Sequence, residues 1–250
     1  MKRFKSMQVL PTSAFLLLAL GLTACDSSVA PPDLAQAESP SAVSASAASA
    51  SAGAVTSTSP IFTFPVIGPH DGESTLIRTK NGINFRFATN SLEPGHAYTL
   101  WIVIWNEPEN CVDGCDGADL FTVDAVPDML YGAGHVVGGS GQATFSGRIQ
   151  VGDASASVQA PLGLAPNGLI DPYGAEVHLV LHHHGEKIPA FMPDMIKTLA
   201  GGCYDTGVGG PGAPTPWNDF AGSAGYDQEY GRLGPNTCLS VLASVHQPQP

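Results

Sequence analysis

The sequence predicts an all-β protein, an antiparallel, Greek-key-like β-sandwich with long, disulfide-stapled loops and at most one or two short helices. Several segments alternate apolar and polar residues, an Asn-Gly pair separates two of them, and no 10–15-residue helical period occurs. Residues 75–79 (TLIRT) and 83–87 (INFRF) alternate across Lys80-Asn81-Gly82, a hairpin signal. Residues 98–105 (YTLWIVIW) are nearly all apolar, which places that strand centrally with both faces covered, and puts Trp101 and Trp105 together on one face as core residues. Residues 142–151 alternate again, residues 175–182 (AEVHLVLH) form another strand, and residues 240–245 form the last. Leu92-Glu-Pro-Gly-His96 reads as a turn joining strands. The short run 193–199 (PDMIKTL) is the one helix signal, opened by Pro and stopped by Gly201. Two connections, 106–141 and 185–237, are long enough to need a function or a staple.

Before this domain the chain carries an address. Lys2, Arg3 and Lys5 precede an apolar run, AFLLLALGL at 14–22, of export-signal length and too short to span a bilayer. Leu22-Thr23-Ala24-Cys25 resembles the lipobox of bacterial lipoproteins, which implies acylation of Cys25 and a protein anchored in the cell envelope, in the inner or outer membrane. Residues 26–60 contain no aromatic residue and are dominated by Ala, Ser, Pro and Thr, so they read as a flexible tether to a single domain at 61–250. Without the leader the chain has 7 basic and 22 acidic residues, a net charge of −15, which repels nucleic acid and anionic lipid. The membrane is then reached only through the lipid, and a protein or carbohydrate ligand stays unspecified.

Export places Cys111, Cys115, Cys203 and Cys238 in an oxidising compartment. Four cysteines allow three pairings; the favoured one is Cys111–Cys115 with Cys203–Cys238, each closing one long loop. A four-thiolate metal site is the competing reading, and CxxxC has the wrong spacing for a zinc ribbon.

The densest polar constellation is Glu176-Val-His178-Leu-Val-Leu-His182-His183-His184. Strand alternation turns Val177, Leu179 and Leu181 to the core and Glu176, His178, His182 and His184 to the other face. His182 and His184 then lie about 6.6 Å apart, close enough to share Cu or Zn, whereas His178 lies about 13 Å from His182. Closing such a site needs a further histidine, from His135, His70 or His246; the alternative is a partly exposed polar edge. The acidic loop from Glu107 to Asp119 offers Asp113, Asp116 and Asp119 to a structural Ca²⁺, or is simply solvated. Residues 131–141, with His135 and Ser140 among glycines, read as a tight buried turn. Ser140 lacks a GxSxG elbow, and the GxGxxG match at 207–212 has Pro where a helix must open. Trp217, Phe220, Tyr226 and Tyr230 either pin the second long loop or line a carbohydrate or peptide surface.

The segments AYTLWIVIWNEPENC, GHVVGGSGQATFSGRI and GAEVHLVLHHHG, followed by GGC and a later Cys, resemble a group of uncharacterised secreted bacterial and archaeal β-sandwich proteins over about residues 70–246. That group implies no activity. More distantly the chain is similar to chordin-type domains and to copper-zinc superoxide dismutase. Glu176-Val-His178 and His182-His183-His184 stand where a chordin-type domain shows His-Ile-His. The resemblance implies a Greek-key β fold; the dismutase's His-Val-His pair and bridging His–Asp set have no counterpart. Two functional expectations follow. The first is a lipid-anchored, non-catalytic binding or structural module, and the second a Cu- or Zn-binding redox or scavenging protein using His182 and His184.

Overall fold

The computed structural model describes residues 53–64, 66–160, 164–205, 232 and 234–249. The leader with Cys25, most of the tether, the GxGxxG match and the aromatics at 217–230 lie outside the described residues.

Eight antiparallel strands form one nearly closed sheet, in the order β5-β4-β7-β10-β1-β2-β3-β6. They are β1 (Val55–Thr63), β2 (Gly68–Thr79), β3 (Gly82–Thr89), β4 (His96–Trp105), β5 (Pro127–Val136), β6 (Ala143–Gln150), β7 (Glu176–Glu186) and β10 (Leu239–His246). A short parallel pair, β8 (Cys203–Asp205) and β9 (Asn236–Thr237), lies apart from it. Among the described residues the one α-helix, α1 (Met192–Met195), continues a 3₁₀ turn at Pro189–Phe191. None is long and apolar enough to cross a membrane.

Two four-stranded layers face each other. One is β5-β4-β7-β10 and the other β1-β2-β3-β6, joined where Phe62 and Thr63 of β1 pair with Ala243 and Leu242 of β10. The opposite edges come together at β5 and β6, where His135 lies over Phe145 with ring centroids 4.4 Å apart. Between the layers sits the main core: Leu76, Phe85, Phe87, Leu100, Ile102, Ile104, Phe145, Val177, Leu179 and Leu181 among others, all buried. Burying each such side chain contributes about 1.5–3 kcal/mol. The hairpin β2–β3 turns at Lys80-Asn81 with Thr79 opposite Gly82. Gly82 is obligatory there, since a Cβ would fall 2.1 Å from the Ile149 carbonyl oxygen.

A second cluster lies outside the sheet. Trp101, Val103 and Trp105 of β4 pack with Cys115, Ala125, Met129, Leu199 and Ala200, so the two tryptophans fill the space under the 106–126 loop and the 196–200 segment, not the space between the layers. The central strand is therefore covered on both faces.

Three stretches differ from their sequence reading. Val55–Thr63 pairs with β2 along its whole length, so the domain begins within the expected tether. Ser57 and Ser59 face inward, where the Ser57 hydroxyl bonds His246 and the Ser59 carbonyl accepts from Ser74, which is why their composition reads as spacer. Residues 127–136, expected inside a long loop and a tight turn, form β5; glycines disguise the strand, and Gly132 and Gly134 face positions where backbone or Ile102 leaves no room for a Cβ. Finally, the short helix begins at Met192, a residue before the expected start, and ends at Met195.

Polar groups close one end of the sandwich. Below Pro60 the strands β1 and β10 no longer pair, and His246 bridges them. The Ser57 hydroxyl donates to Nδ1 (3.0 Å) and Nε2–H donates to Ser74 Oγ (2.9 Å). Alongside, the buried Arg78 guanidinium donates to the carbonyls of Pro172, Ala175, His246 and Gln247. Burial lowers its pKa to about 10, against the opposing pull of Asp171.

Candidate metal centres

The two sides of β7 carry two different donor sets. On the outer side, alternation places Glu176, His178, Val180, His182 and His184 opposite the core-facing Val177, Leu179 and Leu181. His178 is taken up locally: Nε2 lies 2.7 Å from Glu176 Oε1 and its ring meets the edge of Trp105 at 4.5 Å. His182 and His184 are fully buried, their ring centroids 5.0 Å apart at 78°.

The partners of His184 fix its tautomer. Nδ1–H donates to the Gly201 carbonyl at 3.0 Å, so Nε2 accepts from the Thr99 hydroxyl at 2.8 Å, and the Trp101 indole N–H donates to Thr99 Oγ1 at 2.9 Å. The segment holding Gly201 is pinned across the sheet by the Tyr131 hydroxyl, which donates to Ile196 O at 2.8 Å. His182 has one long contact, Nδ1 to Ser240 Oγ at 3.4 Å, and its Nε2 is buried without a partner. Burial and the neighbouring histidines hold His182 well below its ordinary pKa, and burial, opposed by the Gly201 hydrogen bond and aided by His183, brings His184 to about 4. Both rings are shut off from the surface.

No further histidine completes this pair. His135 belongs to the inner face of β5 beside Phe145, His70 bonds Thr89 and Asn90, and His246 serves the other end of the molecule. Sulfur arrives instead. Cys203 and Cys238 are paired, with Cα atoms 5.7 Å apart, and their Sγ atoms lie 3.6 and 3.9 Å from His184 Nδ1. The spacing of the sequence held no sign of this, because 19 and 54 residues separate them from His184.

On the inner side, at the sandwich mouth, Glu93, His96 and His183 converge. The Pro94-Gly95 turn returns His96 N to Glu93 O, and the Glu93 amide donates to the Tyr98 hydroxyl. A register shift between His96 and Tyr98 against β7 then brings His96 beside His183. His96 Nδ1 lies 3.0 Å from Glu93 Oε2 and 2.8 Å from His183 Nε2. The two imidazole planes are within 12° of each other, and Tyr98 lies against the His183 ring at 4.7 Å. Glu93 is 64% exposed and His96 24%, so this centre opens to solvent. Burial and then His96 lower the pKa of His183, against the opposing pull of Glu93. Sequence reading placed Glu93 and His96 in a joining turn and passed over His183; only the bulge connects them.

The acidic loop is arranged differently from a cation site. Asp119 is buried and accepts from the amides of Val112 (3.3 Å) and Asp116 (3.0 Å), while Asp116 accepts from Ala118 N at 2.7 Å. Asp113, exposed at φ 60°, shapes the turn within the Cys111–Cys115 pair, whose Cα atoms are 5.0 Å apart. The Asp spacing of three therefore builds Asx turns and an internal support, and the three carboxylates do not group among the described residues. Ser140 Oγ accepts from the Gln142 amide. No protein-family model, curated protein or solved structure matches this chain.

Proposed function

We propose that the protein is a lipid-anchored envelope lipoprotein whose β domain is a binding module for a divalent transition-metal ion, Zn²⁺ or Cu²⁺, captured at the sandwich mouth by Glu93, His96 and His183. The export leader and Leu22-Thr23-Ala24-Cys25 support the anchor. One observation carries the metal: His96 Nδ1 stands within 3.0 Å of a carboxylate oxygen on one side and 2.8 Å of a second imidazole nitrogen on the other. A tetrahedral ion with bonds of about 2.1 Å needs its ligand atoms about 3.4 Å apart, so small outward shifts admit it. Binding replaces the proton that His96 and His183 share. Three protein ligands leave the fourth position to water or to a ligand donor, the arrangement of an exchanging site.

Equilibrium dialysis of the full-length protein against Zn²⁺ and Cu²⁺ tests this. The expected result is one ion per chain in the oxidised protein, with at least tenfold weaker binding in His96→Ala and in His183→Ala. Binding weakens at acid pH as protons compete for the imidazoles. Metal-free protein, or binding that His96→Ala leaves unchanged, overturns the proposal.

A further inference from the structure

From the outer side of β7 we infer a second metal site of a different kind: a buried N₂S₂ site for a thiophilic ion, Zn²⁺ or Cu⁺, built by His182, His184, Cys203 and Cys238 and available only after the Cys203–Cys238 disulfide is reduced. Ligand atoms of His182, His184 and Cys238 lie within 4.8 Å of one another, and Cys203 Sγ is 3.6 Å from His184 Nδ1. All four residues are fully buried. The independent sign of a missing ligand is His182 Nε2, a buried polar atom with no partner. Such an orphan is destabilising, and an apolar residue in its place would avoid that cost.

The oxidised site is closed to metal for reasons of bonding. Each sulfur holds its partner, and both nitrogens of His184 are spent on Gly201 and Thr99. Reduction changes both facts. A phosphine takes the disulfide to two thiols and becomes the phosphine oxide, with one water supplying the oxygen and the two thiol protons. The incoming ion then displaces those two protons and is held by two thiolates. His184 turns from one tautomer to the other: its Nδ1 lone pair takes the ion and Nε2–H donates to Thr99, whose hydroxyl still accepts from Trp101. Thr99 is thus the positioning residue of the site, a polar support beneath a ligating imidazole. Thiolate and imidazole together select Zn²⁺ and Cu⁺ over harder ions, in contrast to the carboxylate-bearing mouth.

The test uses full-length Cys111→Ser/Cys115→Ser protein, which keeps one disulfide. It is reduced with a phosphine, desalted without oxygen, and titrated with Co²⁺ as a spectroscopic stand-in for Zn²⁺. The expected result is one equivalent giving the intense sulfur-to-cobalt charge-transfer band and the visible bands of tetrahedral cobalt. These are absent before reduction, weakened at least tenfold in affinity by His182→Ala, and bleached by Zn²⁺. The mouth has no sulfur, so His96→Ala leaves the band intact, and the two sites stand or fall separately. Absence of the band in reduced protein that keeps its β circular dichroism overturns the inference. So does a band indifferent to His182→Ala, or reduced protein that unfolds and does not regain structure with Zn²⁺.

Discussion

His246 illustrates how one side chain couples stability to proton concentration. Burial first, then the Arg78 charge and His178, bring its pKa from the ordinary 6.5 to about 4. Between those values the unfolded chain binds a proton that the folded one refuses. This contribution is therefore complete above pH 6.5 and is lost as pH falls toward 4, at up to about 1.4 kcal/mol per pH unit. Replacing His246 by Gln, which offers Ser57 and Ser74 a donor and an acceptor, is expected to flatten the urea-measured stability profile over that window by close to one proton. An unaltered slope would assign the acid sensitivity elsewhere. Residue by residue, the sequence showed which histidines share a face, because alternation along a strand is a local property. It did not show that His182 and His184 meet sulfur or that His96 meets His183, because those contacts depend on a disulfide and a bulge between distant segments.

Among the elements, the strap of residues 189–203 covers the outer site, with the Gly201 carbonyl and Cys203 beside His184. It runs so close to β5 that a Cβ on Gly134 would stand 2.2 Å from the Ile196 carbonyl oxygen. Gly134→Ala is expected to lift the strap and cost about 1–3 kcal/mol in thermal or urea unfolding, whereas Gly138→Ala, with open space around it, stays within about 0.5 kcal/mol. Equal effects would mean the strap gives way freely. The Cys203–Cys238 bridge spans 35 residues and restrains the unfolded chain by about 3–4 kcal/mol, so the strap is tethered even where packing is thin. The apolar strands β4 and β7 were legible from composition, since both their faces are covered. β1 and β5 were not: one turns Ser57 inward to a histidine, the other carries glycines where backbone crosses it.

At the scale of the molecule, the two layers are joined by backbone pairing at one short stretch of β1 and β10 and elsewhere by side chains. Deleting residues 1–60 removes Val55 to Pro60, exposes the paired edge of β2 and leaves His246 without Ser57. A chain starting at residue 53 is expected to melt cooperatively, and one starting at residue 61 roughly 10 °C or more lower. Coincident melting curves would show that the strand adds nothing. The fold class itself was visible in the sequence because alternation, turn chemistry and paired cysteines all act within short stretches; the closure of the layers into one sheet was not, because it arises from strands distant in the chain.

His182, His183 and His184 are consecutive, yet a single thickness of backbone separates the first and third from the second. Inserting or deleting one residue upstream in β7 would turn the whole ladder over, handing the middle imidazole to the sulfur side and its neighbours to the water side. Which donor set a histidine joins is thereby written as parity: whether it occupies an odd or an even place along one extended segment.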